Sequence, residues 1–385
     1  MSKHGRVLVA MSGGVDSSVA ALMLHEEGFE VIGVTMKTWD YADASGGKRI
    51  TGCCDLDSIA DARNMAVSRG FHHIILDIRE EFGEHIIGNF TTEYMAGRTP
   101  NPCVLCNTFI KWEALLKRAD MMDCPIIATG HYANVREERI SPFPTGEGAG
   151  MGSNGSAMGS RWIVSKGLDA SKDQSYVLWG LEQKNLARTR FPIGGFTKAH
   201  IREMAMESGF PELAQKSESY EICFIPDNDY RGFLKRKEPE ATKRLSNGVF
   251  VSTAGEVIGQ HDGYPFFTIG QRKGLGIATG QPLYVTDIDP STNVVMLGNK
   301  ADLDKQVMWV RQPNFVKLPA LQGEVEAVTK VRYKDKGTPS TLHMDGERVR
   351  VEFHAKVAGI APGQSAVFYD GDDVLGGGFI DRERP

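Results

Sequence analysis

At roughly 150 residues per domain the 385 residues of this chain make two or three domains, and 41% apolar with 24% charged residues excludes a disordered or fibrous chain. Lys and Arg number 44 against 49 Asp and Glu, a formal charge of −5, so a nucleic acid would have to bind a local basic patch. No apolar run approaches the ~20 residues that cross a bilayer, and the apolar start over 7–11 runs into glycines instead of a cleavage site. The expected location is therefore the cytoplasm, with no membrane partner.

In chain order, residues 1–217 alternate short apolar runs with helical periodicity. Residues 7–11, 31–36, 73–77 and 125–129 predict buried strands, and the helices between them predict an α/β fold with a parallel, doubly wound sheet. Residues 18–25 predict a helix with Val19, Leu22 and Met23 on one face. Asp57 is placed to cap a helix carrying Ile59, Ala62, Ala66 and Val67, and Thr197 to cap one carrying Ile201, Met204 and Ala205. The Gly, Ser and Pro of 141–160, without periodicity, predict a mobile surface loop. From 218 to 303 the texture becomes β-type: strands at 249–251, 283–288 and 294–297, turns at 253–255 and 289–293, and a small β-rich central domain. Strands at 324–331, 348–353, 366–369 and 374–380, with an Asp370-Gly371 hairpin turn, predict a C-terminal β-barrel over 304–385.

Met11-Ser12-Gly13-Gly14-Val15-Asp16-Ser17 joins the first strand to the first helix. Unbonded amides and the positive dipole end at a helix start suit phosphate, and glycines let the backbone approach it. Ser12 and Ser17 add hydroxyl donors. The Walker string G-x-x-x-x-G-K-[ST] is absent, which disfavours transfer of a γ-phosphoryl group. Further on, Asn101 reads as an N-cap and Pro102 as the first residue of a helix burying Phe109, Trp112, Leu115 and Leu116. Cys103 and Cys106 lie one turn apart at its start, where the dipole lowers a thiol pKa and makes a candidate nucleophile. Cys-x-x-Cys alone fits redox chemistry or half a metal site as well. By spacing, Cys223 is a small hydrophobe in a strand over 221–225, Cys124 is core, and Cys53-Cys54 is an incomplete ligand set. His131 ends a strand at the edge where open α/β sheets bind ligands, although such a histidine is ordinarily a satisfied hydrogen-bonding group. Lys172-Asp173-Gln174, Gln271-Arg272-Lys273 and 330–336 are local basic sites, the last with Tyr333 beside Arg332, able to hold phosphates and stack a base.

Together these strings resemble the tRNA-specific 2-thiouridylase family, a branch of the PP-loop ATP pyrophosphatases. The resemblance rests on Ser12-Gly13-Gly14-Val15-Asp16-Ser17, Gly97-Arg98-Thr99-Pro100-Asn101-Pro102 with Cys106-Asn107, Thr129-Gly130-His131-Tyr132, Lys172-Asp173-Gln174-Ser175-Tyr176, Ile222-Cys223-Phe224-Ile225-Pro226, and 268–276, in family order over most of the chain. It implies a sulfurtransferase that uses ATP and Mg²⁺ to replace the C2 oxygen of the wobble uridine of tRNA with sulfur, releasing AMP and pyrophosphate. By the same resemblance Ala10, Met11, Ser12, Gly13, Gly14, Val15, Asp16, Ser17, Met36 and Gly130 contact ATP. Asn101, Pro102 and Cys103 line the target base, and Lys172, Asp173, Gln174, Arg332 and Tyr333 hold the tRNA. Cys223 carries a persulfide. Cys106 either attacks it or resolves the thio-adduct through a Cys106–Cys223 disulfide. Implied partners are tRNAs accepting Glu, Gln and Lys, and a cysteine desulfurase or relay protein as sulfur donor. Two positions depart from the family pattern: Cys103 and Glu221 stand where an aspartate is usual. Cys103, Cys106 and Cys223 would also make a three-thiolate set for an iron–sulfur cluster or zinc. Two further readings are a PP-loop ligase that attacks an activated carbonyl with nitrogen, and a tRNA-binding protein with a degenerate nucleotide site.

Overall fold

A computed structural model describes residues 2–39, 56–140, 159–216, 222–225, 227–277 and 280–382. Strands of the first half are β1 (Arg6–Ala10), β2 (Glu30–Lys37), β3 (His72–Asp77), β4 (Ile126–Thr129), β5 (Ala133–Ile140), β6 (Gly159–Lys166) and β7 (Thr189–Arg190). Five of them form a parallel sheet in the order β3-β2-β1-β4-β7. All four strands expected from the apolar runs are present. The β1, β2 and β4 runs are buried, whereas β3 forms the sheet edge and leaves Ile75 exposed. Strand order switches at β1/β4, so a crevice opens beyond the carboxyl ends of these two strands.

The first helix, Val15–Glu27, starts three residues before the expected 18–25 because Val15 is also buried. Val19 and Leu22 face the core as expected, while Met23 is only part-buried. Val15, Val19 and Ala20 pack with Ile201 and Ala205 of helix Lys198–Glu207, which Thr197 caps by accepting from the His200 amide at 3.3 Å. Asp57 is not a cap. Helix Leu56–Arg69 begins before it and places its carboxylate in the first turn, where it complements the dipole. Asn101 occupies the N-cap position before Pro102 but makes no side-chain capping bond. That helix runs on as Pro102–Leu105, the π-helical Cys106–Lys111, and Trp112–Met121, burying Trp112 and Leu115 and part-burying Leu116.

Of the loop expected over 141–160, residues 141–158 lie outside the described residues. Ser160 lies within β6, which pairs antiparallel with β5 from Ala133↔Lys166 to Ile140↔Gly159. This hairpin carries no apolar alternation signal because it is an outer ribbon. Ala133, Ile163 and Val164 are buried, and polar anchors are added by Arg136, which grips Asp373 at 2.8 and 2.9 Å, and by Ser165, which pairs with Asp373.

The central strands β8 (Gly248–Ser252), β9 (Val257–His261), β10 (Tyr284–Asp289) and β11 (Val294–Gly298) form a mixed sheet ordered β10-β11-β8-β9, with β8 and β11 parallel. Three follow the expected runs. Its core is shared with the first half: Phe224, Phe233, Phe250, Val285 and Leu297 pack in one cluster with Phe82, Ile86, Phe90 and Tyr94. The change of sequence texture near 217 therefore marks no gap in the packing.

The last strands are β12 (Asp304–Phe315), β13 (Val325–Lys330), β14 (Thr338–Asp345), β15 (Arg348–Ala358), β16 (Ser365–Asp370) and β17 (Asp373–Ile380). They run β12-β15-β14-β13-β16-β17, and β12 pairs with β17 to close the expected barrel around Val310, Leu342, Val351, Phe368 and Ile380. Asp370 pairs with Asp373 across the expected hairpin turn. Among the described residues no helix is long and apolar enough to cross a membrane.

Candidate active site

Residues 11–14 leave β1 and enter helix Val15–Glu27 with Gly14 at its N-cap. Gly13 has a φ of 71°, and a Cβ there would lie 2.0 Å from the Ser58 carbonyl oxygen, so this turn closes only on glycine. Gly130, just past β4, approaches the helix start so closely that a Cβ would sit 2.6 Å from the Ser17 nitrogen. Ser17 Oγ accepts from the Ser12 amide at 3.0 Å and donates to the Gly14 carbonyl at 3.2 Å. Ser17 thus shapes the loop, while Ser12 is exposed, its hydroxyl 3.3 Å from that of Ser17. The first amides of this thirteen-residue helix have no acceptor within it, an arrangement suited to an anion. Met11 is held by its amide on the Val34 carbonyl at 2.8 Å. Ala10 and Met36, at the carboxyl ends of β1 and β2, are part-buried beside it.

Two cations reach this loop from far along the chain. Lys198 Nζ donates to both Asp16 carboxylate oxygens, at 2.7 and 2.8 Å, and Tyr132 OH donates to the first at 2.7 Å. Lys216 Nζ donates to the Gly13 carbonyl at 3.1 Å and Ser58 Oγ at 3.0 Å and pairs with Asp61 at 2.8 Å. One local signal existed for Lys198: a lysine directly after an N-cap opposes the helix dipole, an arrangement that needs a nearby anion. His131, by contrast, is core. Its Nδ1 shares a hydrogen with Thr129 Oγ1 at 2.7 Å, its ring lies against Trp112 and Phe191, and burial pushes its pKa down to about 3, so it stays neutral.

Cys103 is exposed on the first turn after Pro102, and Cys106 is part-buried at the start of the π-helical segment, a helix irregularity common at functional sites. Cys223 lies in a turn closed by the Ile225 amide on the Ile222 carbonyl at 2.8 Å, not in the expected strand. Phe224 fixes that turn by inserting edge-on against Phe82 and Phe90, at 5.9 and 5.2 Å between ring centres. Cys106 and Cys223 both pack against this same apolar cluster, and so does Met36 from the end of β2. Cys106, Cys223 and Met36 thus border one apolar cluster. Cys124 is buried with its thiol pKa raised by desolvation, an inert core residue as expected. Cys53, Cys54 and Glu221 lie outside the described residues. Among the described residues no three His, Cys, Asp or Glu side chains converge to hold a metal ion, so Cys103, Cys106 and Cys223 do not form the three-thiolate set.

Lys172 is part-exposed, but its two neighbours serve the fold. Buried Asp173 accepts from the Gly167 and Ser175 amides at 3.2 and 3.0 Å, and Gln174 exchanges hydrogen bonds with Tyr132 at 2.8 and 2.9 Å. Arg332 and Tyr333 sit on an exposed turn closed by the Asp335 amide on the Arg332 carbonyl at 3.1 Å. Tyr333 meets the buried Tyr176 ring at 6.0 Å, so two separate stretches of sequence converge at one place.

The switch-point crevice, the glycine cradle and its paired cations define a nucleotide-binding α/β domain of the pyrophosphatase-loop type. Family models described as a tRNA methyl transferase HUP domain, a tRNA methyl transferase PRC-barrel domain and an aminomethyltransferase beta-barrel domain match residues 5–227, 232–299 and 305–380. The tRNA-specific 2-thiouridylase of Cytophaga hutchinsonii is 58% identical over 381 residues, 99% of this chain and 98% of that one. That of Amoebophilus asiaticus is 59% identical over 379 residues, 98% and 96% of the two chains. That of Salinibacter ruber is 52% identical over 385 residues, 99% and 95%. The chain belongs to the tRNA-specific 2-thiouridylase family.

Proposed function

We propose that this protein is a tRNA-uridine 2-sulfurtransferase that activates the wobble uridine with ATP and replaces its C2 oxygen with sulfur. The observation that supports the reading is the strand, glycine loop and helix start at the switch point of the sheet, together with the packing of Cys106, Cys223 and Met36 against one apolar cluster. A carbonyl oxygen is a poor leaving group, so O2 first attacks the α-phosphorus of ATP and pyrophosphate departs into the 12–17 loop. The terminal sulfur of a Cys223 persulfide then attacks C2, and AMP leaves with the former O2. Cys106 thiolate attacks the Cys223 sulfur of the adduct, which frees 2-thiouridine and leaves a Cys106–Cys223 disulfide for a cellular thiol to reduce. In the variant route Cys106 attacks the persulfide first and releases sulfide as the nucleophile.

Lys198 and Lys216 neutralise the departing diphosphate, and Asp16 orients Lys198. Mg²⁺, when bound, would be held by the phosphates and Asp16 and would add to that neutralisation. A resident iron–sulfur cluster has no converging ligand set among the described residues, so no step passes through one. On this reading Asn101, Pro102 and Cys103 line the base, and Lys172, Arg332 and Tyr333 hold tRNAs accepting Glu, Gln and Lys. Asp173 and Gln174 support that surface from within. A cysteine desulfurase or relay protein charges Cys223.

The test is mass spectrometry of tRNA nucleosides after incubation with ATP, Mg²⁺ and a persulfide donor. 2-Thiouridine with equimolar AMP and pyrophosphate is expected. ADP and phosphate, or amide formation in place of thiolation, would overturn the reading. Arg332→Ala is expected to weaken tRNA binding several-fold and to lower the slope of log K against log salt by ~0.7–0.9, the loss of one phosphate contact. An unchanged affinity and slope would remove this turn from the docking surface.

A further inference from the structure

We infer that the C-terminal barrel sets the position of the base-lining segment, and that Gln364 is the positioning residue that does so. The inference rests on the sulfurtransferase reading for the base-lining role of residues 101–103 and for its activity assay. Residues 99–102 are Thr-Pro-Asn-Pro, and the two prolines have no amide with which to anchor the chain. The segment is held from outside instead. Gln364 Nε2 donates to the Thr99 and Pro100 carbonyls at 3.2 and 2.9 Å. The Thr99 amide donates to the Pro362 carbonyl at 2.7 Å, and Arg382 Nη2 donates to the Gly97 carbonyl at 3.0 Å. Arg98, between them, is forked onto buried Glu93, which Arg311 of β12 also reaches at 3.3 Å. Every one of these outside anchors except Glu93 belongs to the barrel or its C-terminal extension.

The same strap touches the exposed turn proposed to meet tRNA. A Cβ on Gly359 would lie 3.4 Å from Arg332 Nη1, and the Ser365 carbonyl accepts from Tyr176 OH at 2.7 Å, whose ring meets Tyr333. Residues 359–365 therefore lie between the Arg332–Tyr333 turn on one side and the Gly97–Pro100 segment on the other. Two donors on consecutive carbonyls fix both the place and the tilt of the peptide that leads into Asn101. A loss of either lets the base-lining residues drift, and misplacement by about an ångström costs on the order of 10²-fold in rate.

Gln364→Met keeps length and removes both donors, and Gln364→Glu keeps shape but faces the two carbonyls with a carboxylate. Both are expected to lower kcat for thiolation 10- to 100-fold, measured per active site from the pyrophosphate burst. KM for tRNA and the thermal unfolding midpoint should change little. In the same proteins, alkylation of part-buried Cys106 by iodoacetamide should quicken several-fold, because the segment that precedes it is loosened. A merely structural role would lower the midpoint and the burst amplitude and leave kcat per site unchanged. Should either variant fail to fold, Arg382→Met, which loosens the same segment at Gly97, is expected to show the same loss of kcat and quickening of alkylation. Variants that fold and retain kcat within twofold with unchanged alkylation overturn the inference. A wild-type protein that makes no 2-thiouridine would overturn the sulfurtransferase reading instead, and alkylation would still decide this one.

Discussion

Asp16→Asn is expected to lower AMP formation by a factor of about 10² to 10³ while tRNA affinity stays within twofold. The magnitude is that of removing one preorganised electrostatic contact to a developing charge. Asp16 holds Lys198 through both carboxylate oxygens, and Lys198 is buried among neighbours that include the Tyr132 ring, 5.9 Å from its ammonium. The amide keeps shape and the Tyr132 bond but loses the charge that orients the lysine over the loop. Asp16→Ala goes further and strands a buried ammonium, at a cost of about 1–3 kcal/mol of stability in addition to activity. Lys198→Met should match Asp16→Asn in activity. The double variant Asp16→Asn/Lys198→Met separates the two roles: stability should recover toward wild type because no charge is stranded, and AMP formation should stay lost. Recovery of AMP formation in the double variant would show that the pair serves folding alone. Calorimetry and pyrophosphate release on the same four proteins decide it.

How much of this was legible in the sequence depends on how local each signal is. The strands β1, β2 and β4 read correctly because buried parallel strands are continuous apolar runs, and β13, β15, β16 and β17 were also legible as short β-type runs, whereas β12 and β14 were not read. Hairpin β5–β6 was missed because its side chains are largely polar and its anchors, such as Asp373, lie more than 200 residues away. The glycine loop was visible in full, since strand, glycines and helix start are contiguous. Its cations were not, because Lys198 and Lys216 arrive through helix packing that no spacing rule records. For Cys223 the periodicity suggested a strand, and the structure has a turn, since Phe224 and Ile225 are buried by aromatic packing and not by pairing in a sheet. Asp173 misled in the opposite direction: beside Lys172 it looks like surface, yet three hydrogen bonds draw it inward.

Cys106→Ser and Cys223→Ser are each expected to reduce 2-thiouridine formation by at least ~10³-fold, since a hydroxyl neither stores transferable sulfur nor attacks a disulfide sulfur. The two should fail at different points. Both precede or follow an intact activation step, so each variant should still release one burst of pyrophosphate per site in the presence of tRNA. Cys223→Ser should accept no sulfur from a persulfide donor. Cys106→Ser should accept it, and on the adduct route should trap a tRNA–Cys223 mixed disulfide that dithiothreitol releases as 2-thiouridine-containing tRNA. Absence of that trapped species, with loss of product, favours the route in which Cys106 liberates sulfide first. Cys124→Ser should retain activity, because its thiol is desolvated in the core. Cys103 discriminates the carriers of sulfur. It is exposed, whereas Cys106 and Cys223 pack on the apolar cluster, and the three do not converge. Cys103→Ala should therefore leave sulfur loading of Cys223 intact and act only through the base pocket. Anaerobically purified protein should be fully active without stoichiometric iron. Iron that is stoichiometric in the wild type and disappears together with activity in Cys103→Ala would require a tRNA-bound rearrangement that gathers the three thiolates, and would replace the persulfide with a cluster-held sulfide.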